Sequence, residues 1–515
     1  MNVLLSLLQK SPDYMQLLQA VEAKQAAAVS GLSQAPRSHV LAALHEHSGR
    51  PLVAVCQDDL AASRLASELG AFLGEQPPVL PSRELTLAGA IGVSRQWEQK
   101  RLRLLYALAQ GQVPVLVTSL DALLLRTMPR EVLFSASVRL RCGAEYNVDD
   151  LVARLTRAGY TRSSLVEGVG QFALRGGILD VYSPACENPL RAEFFGDELD
   201  TMGYFDPITQ RRTENVEEAV LLPVAETEAH LHPQGTAGLC EDLRAIIARQ
   251  QRRKTPNQAL IDTLQKDCEA LENETLFAST DRYMALIYPE FTTAAAYLSQ
   301  EAVVAFCDHG NLQRAEKEKA EEFGLLLDSF LTSGTLFGEL CDYYGSIEDL
   351  AAQLRGRAVV YCDGFLAARY PESLPPKKLL SFTARQLPGY GGSLETAASD
   401  LKNYTANQYG SIVLCGGQRR GEILKDLLAQ NGLNALLAFP LTKLPQPGQI
   451  LLAPGSLPAG LEYPTLKFAI LTEGQIAVRQ ERKKTHAPKK ATNRKKLDSF
   501  TDLTPGDLVV HEHHG

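Results

Sequence analysis

No stretch of the 515 residues approaches the roughly eighteen consecutive apolar positions that a membrane helix needs, so a membrane-spanning class is not expected. Met1 to Lys10 is too short and too weakly basic for a secretory leader, which points to a cytoplasmic chain with no membrane partner. The nine cysteines, at 56, 142, 186, 240, 268, 307, 341, 362 and 415, stand singly with no C-x-x-C pair. The ten histidines show no zinc-finger spacing beside them, so reduced core thiols are expected rather than a zinc site. His511, Glu512, His513 and His514 read as a polar terminus, and no metal is assigned.

With 45% hydrophobic and 22% charged residues, neither wholesale disorder nor a fibrous class is indicated. At roughly 150 residues per domain the length suggests three or four domains. The net charge of −8 is unevenly placed, because Arg479 to Lys496 carries nine Lys or Arg against one Glu. This run includes Pro488 and few apolar residues, so it reads as a flexible linker. A solvated spacer and a salt-sensitive contact to nucleic-acid phosphates both fit it.

The chain reads as multidomain α/β. Ala26–Ser30 and the apolar runs at 51–57 and 113–119 look like buried strands, with helical patterns at 58–73 and 97–109 between them. Residues 1–122 are therefore expected to start a parallel α/β domain. From 123 to 213 the pattern alternates, with Gly176-Gly177 and a turn-rich Pro184 to Pro189, as in an inserted antiparallel β-rich domain. Residues 214–350, with a mainly helical stretch and the strand-like AVVAFCD at 302–308, are expected to return to the first domain. A small α/β domain is expected over 351–476, followed by the basic linker at 477–500 and a last segment at 501–515.

Two imperfect motif halves bear on chemistry. Gly31 to Ser38 has the frame of a phosphate loop, G-x-x-x-x-G-K-[ST], but only Gly31 and Ser38 fit it. Pro36 removes a backbone donor where glycine belongs, and Arg37 replaces the compact ammonium of lysine with a forked cation. The strand ending at Asp308 continues with His309, so no adjacent carboxylate is available to orient an attacking water. Asp308 on its own reads as a helix cap. Gly416 to Gly421 lacks the Lys-Ser/Thr ending of a phosphate loop and reads as a strand-to-helix turn with exposed Arg419 and Arg420. Neither that pair nor Tyr343-Tyr344 forms a track of bases and aromatics long enough for stacking nucleotides.

Several segments carry a resemblance to a known family. FALRGGILDVYSP at 172–184, RAEFFGDELDTMGYFDPITQRRTENVEEAVLLPVAE at 191–226, VLVTSLDALLLRTMP at 115–129 and PGDLVVHEHHG at 505–515 are similar to the bacterial transcription-repair coupling factors, Mfd. The resemblance implies a UvrB-like module with a degenerate phosphate-loop domain and an inserted domain that binds UvrA. It further implies that 501–515 opens an RNA polymerase-interacting domain, so that the chain is expected to be a piece of a longer protein. Double-stranded DNA, ATP and magnesium are implied for a motor outside this chain. No cofactor and no catalytic residue are expected here. Readings of the chain as a nucleotide-hydrolysing UvrB-like repair enzyme, or as a DNA-binding protein using its basic linker, stay open.

Carried over residue by residue, the UvrA-contacting positions implied are Arg175, Arg191 and Phe195. Two arginines and an aromatic on one sheet surface suit a binding hot spot. The structural alternatives are that Arg175 decorates a bulge, that Arg191 pairs with Asp197 or Glu198, and that Phe195 is core while Phe194 faces out.

Overall fold

The computed structural model describes residues 2–87, 96–273, 279–367, 369–390 and 393–473. The linker and final segment expected over 477–515, with His511 to His514, lie outside the described residues. The first strands are β1 (Ala26–Ser30), β2 (Leu52–Cys56), β3 (Val79–Leu80) and β4 (Val115–Ser119). A second set, inserted after β4, runs β5 (Val138–Arg141), β6 (Thr161–Arg162), β7 (Gln171–Arg175), β8 (Ile178–Val181), β9 (Leu190–Phe195), β10 (Glu198–Phe205), β11 (Arg212–Asn215) and β12 (Glu218–Leu221). The chain then returns with β13 (Val303–Cys307), β14 (Ala358–Cys362) and β15 (Lys378–Ser381).

These early and late strands make one seven-stranded sheet in the order β15-β1-β14-β13-β2-β4-β3, with each neighbouring pair parallel. Val303–Cys307 and Ala358–Cys362 are apolar without a break because helices cover a parallel sheet on both faces and every position is buried. The Asp59–Leu73 helix opens with the Asp58 carboxylate accepting from the Ala61 N–H and closes at Gly74 in the left-handed conformation.

The inserted strands form a six-stranded sheet, β11-β10-β9-β8-β7-β6, antiparallel except between β6 and β7, together with the antiparallel pair β5 and β12. Phe172, Leu179, Val181, Leu190, Ala192 and Leu199 supply their own core. Last come β16 (Arg385–Gln386), β17 (Gly410–Cys415), β18 (Ala435–Leu437), β19 (Ile450–Pro454), β20 (Leu461–Tyr463) and β21 (Phe468–Thr472), forming a third sheet in the order β16-β20-β21-β17-β19-β18. It packs beside the first domain, with Ile412, Leu414, Phe468 and Ile470 in the same core as Val40 and Leu44. At that seam the buried His39 ring meets the Tyr463 hydroxyl at 2.9 Å and the Leu4 carbonyl at 3.0 Å.

Three of the expected boundaries move. The inserted unit does not open at 123, because Leu123, Leu124 and Leu133 pack into the first domain's core, and it does not close at 213, because β12 pairs with β5. Nor does the first domain stop at 350, since β14 and β15 lie either side of β1 in its sheet. Hydrogen bonding between strands far apart in the chain decides membership, and local pattern does not report it.

Candidate functional site

The remodelled phosphate loop lies at the C-terminal ends of the parallel strands, where open α/β sheets generally bind ligands. Gly31 has φ +81°, its N–H donates to the Gly364 carbonyl at 3.0 Å, and a Cβ there would meet the Phe382 carbonyl oxygen at 2.0 Å. Only glycine fits such a turn. The Gln34–Ser48 helix follows, with Pro36 buried in its first turn, where the missing N–H costs nothing. At that helix start the Ala35 N–H donates to the Gln386 side-chain oxygen at 3.3 Å. The Ser38 hydroxyl donates to the Glu68 carboxylate and to the Gln34 carbonyl at 3.0 Å.

Arg37 reaches across to Asp308, Nη1 to Oδ2, at 3.2 Å, so the two motif halves are joined by an ion pair. The cap expected of Asp308 is not made: the residue sits at the start of the His309–Thr332 helix in the left-handed conformation, φ 63°, without a side-chain capping bond. His309 is buried, with its ring stacked on Tyr370 and edge-on to Tyr361, while its N–H donates to Asp363 at 2.6 Å. Neither ring nitrogen has a hydrogen-bond partner among the described residues. Burial lowers its pKa to about 4. A small cavity of about 210 Å³ borders this region, lined by Gln34, Ser38, Glu68, Phe72 and Gln386 among others.

The second region is one face of the inserted sheet. Asp180 pairs in register with Arg191 on β9 and Ala173 on β7. By the two-residue alternation of strands, Arg175, Ile178, Asp180, Arg191, Glu193 and Phe195 share that face, and Leu174, Leu179, Ala192 and Phe194 point to the core. Phe195 is 84% exposed, and Phe194 is partly buried against the core. The Asp180 carboxylate is fully buried and accepts three bonds: from Arg191 Nε at 2.7 Å and Nη2 at 2.9 Å, and from Arg175 Nη2 at 2.7 Å. Arg191 therefore pairs with Asp180, not with Asp197 or Glu198, and its guanidinium lies 4.5 Å over the Phe205 ring. The Arg191 side chain is 21% exposed and that of Arg175 is 50% exposed. Gly176, at φ +60°, and Gly177, where a Cβ would meet the Phe194 carbonyl oxygen at 2.6 Å, shape the hairpin between Arg175 and Ile178.

Asp180, Glu193 and the exposed Ile178 are the members of this face that motif reading overlooked. The alternation in I-L-D-V, which sets Ile178 and Asp180 two apart, was the available signal. Elsewhere, Gly416 precedes the Gln418–Gln430 helix as a strand-to-helix turn with Arg419 and Arg420 exposed, and its N–H donates to Glu473 at 3.3 Å. Among the described residues one group of potential metal ligands converges, Cys240, Cys268 and Glu272, within 4.8 Å of one another. Arg244 forms an ion pair with that carboxylate. Among the described residues no helix is long and apolar enough to cross a membrane.

Comparison with known proteins adds the following. Residues 138–226 match the UvrB interaction domain family, and the match begins at the first residue of β5. The whole chain is similar to the transcription-repair-coupling factor of Bacillus subtilis, 24% identical over 525 aligned positions, and to that of Staphylococcus aureus strain USA300, 26% identical over 523. The chain spans 43–44% of the length of these relatives. The resemblance expected from the sequence thus extends from end to end.

Proposed function

We propose that this chain is the recruiting part of a transcription-repair coupling factor: it binds UvrA through the inserted domain and brings it to RNA polymerase stalled on damaged DNA. The observation that carries this reading is the end-to-end similarity to those factors, combined with the match of the inserted unit to the UvrB interaction domain. Arg175, Arg191 and Phe195, on one face of that unit, build the binding surface. RNA polymerase, DNA and the ATP and magnesium of a translocating motor are proposed for the rest of such a protein.

The chain itself works without hydrolysing ATP. A phosphate needs free backbone donors, a flexible cation and a hydroxyl for magnesium. Here Gln386 takes the Ala35 donor, Asp308 takes Arg37, and Glu68 takes Ser38. Two carboxylates beside the loop would repel the phosphates as well.

Two assays test the reading. Titration of purified UvrA with the chain should give saturable binding that is lost in Phe195→Ala and Arg191→Ala. ATP turnover with and without DNA should stay at the buffer level. A folded chain that leaves UvrA unbound refutes recruitment, and turnover that disappears in Arg37→Ala refutes the non-hydrolysing assignment.

A further inference from the structure

The two arginines that share Asp180 on the inserted face are not equivalent. Arg191 is held at both ends of its fork by a carboxylate that water does not reach, stacks on Phe205, and has its Nη2 3.4 Å from the Gln210 side-chain oxygen. Its donors are mostly spent inside the fold. Arg175 gives one nitrogen to the same carboxylate, and its other terminal nitrogen reaches the Ser164 carbonyl only at 3.5 Å. Half of its side chain stays open to solvent. Ile178 lies directly opposite Arg175 in the hairpin and opposite Glu193 on β9, and it is exposed like Phe195.

We infer that Asp180 is the positioning residue of this surface, that Arg191 is a strut, and that the partner meets Arg175, Ile178 and Phe195. This rests on the proposed recruitment of UvrA and names the chemistry of its docking site: a carboxylate on the partner's surface beside an apolar cleft. The cleft takes Phe195 and Ile178, and the carboxylate takes the open side of Arg175. A buried carboxylate shared by two arginines balances one of their charges, and Glu193 on the same face is offset by Arg212 at 3.6 Å, so the face presents about one unit of positive charge in a fixed place. A preset arginine loses less freedom on binding than one swinging in solvent, and that is how a residue that never touches the partner tunes affinity.

The test is calorimetric titration of UvrA with the full chain and with Asp180→Asn, Arg175→Met and Arg191→Met, at two salt concentrations, after thermal unfolding has established that each variant folds. Arg175→Met should weaken binding by about tenfold or more and flatten its salt dependence, as the loss of an intermolecular ion pair does. Arg191→Met should weaken binding with the salt dependence unchanged. Asp180→Asn should weaken binding in the unaltered chain and add nothing in an Arg175→Met background, because it acts through that arginine. Unaltered affinity in folded Asp180→Asn overturns the inference alone, as does a salt dependence in Arg191→Met flattened as much as in Arg175→Met. Failure of the unaltered chain to bind UvrA overturns both this inference and the recruitment reading.

Discussion

Arg37 and Asp308 close the vestige of a nucleotide site on itself, with the guanidinium and carboxylate 3.2 Å apart and unequally exposed, 13% for Arg37 and 46% for Asp308. That asymmetry predicts unequal costs. Removing Arg37 leaves a carboxylate that water already hydrates, so Arg37→Met should cost no more than about 1 kcal/mol. Removing Asp308 strands a largely buried cation, so Asp308→Ala should cost about 2–3 kcal/mol, allowing for partial exposure of the pair. Urea midpoints of the two variants, compared at neutral pH, measure the difference, and equal costs would contradict the argument.

His309 predicts a response to acid. Burial holds its pKa near 4, below the ordinary 6.5 of an unfolded chain. Above pH 6.5 the ring is neutral in both states and its contribution to stability is complete. As pH falls from about 6.5 towards 4 the unfolded chain takes up a proton that the folded chain refuses, and up to about 3 kcal/mol is lost. His39, lowered to about 4 by burial as well, adds to the same window. Since neither nitrogen of His309 has a partner among the described residues, His309→Phe should remain within about 1 kcal/mol of the parent at pH 7 and flatten the acid slope. Denaturant midpoints at pH 7, 6 and 5 give both numbers.

Gly31 and Gly49 separate crowding from backbone preference. Both have positive φ, but only Gly31 has a carbonyl oxygen where a Cβ would go. Gly49→Ala should cost about 1–2 kcal/mol, from the left-handed conformation alone. Gly31→Ala should cost at least about 3 kcal/mol, since Phe382 must also shift. Thermal unfolding of the two variants side by side is the check.

Phe195 and Phe205 stand on the same inserted sheet with opposite fates, 84% and 0% exposed. Phe195→Ala should leave stability within about 0.5 kcal/mol of the parent, and Phe205→Ala should cost about 3–5 kcal/mol. A destabilised Phe195→Ala would mean that its loss of binding could not be assigned to contact.

Much of the fold was legible because parallel strands buried on both faces read as unbroken apolar runs, as at Val303–Cys307 and Ile450–Pro454. The limits of the inserted unit were less legible. Glu218–Leu221 is four residues long, with Glu218 exposed and Val220 half-buried, and its pairing partner Val138–Arg141 lies some 80 residues away in the chain. On the candidate face, Arg175, Arg191 and Phe195 came from motif resemblance, but Asp180 did not. An aspartate inside a strand reads as solvent-facing until the register sets it between two arginines. The missing lysine at position 37 was visible in the sequence, whereas the carboxylates that engage Ser38 and Arg37 belong to Glu68 and Asp308, one on another helix and one at the end of a distant strand.

The pairing of Val138 with Leu221 sets both attachment points of the inserted unit at one end of a two-stranded ribbon. A pull between a partner bound at Phe195 and the parallel sheet therefore travels along two covalent chains side by side. Their mutual hydrogen bonds are neither sheared nor unzipped by it. The ribbon behaves as a two-stranded tether, with the load divided between its strands.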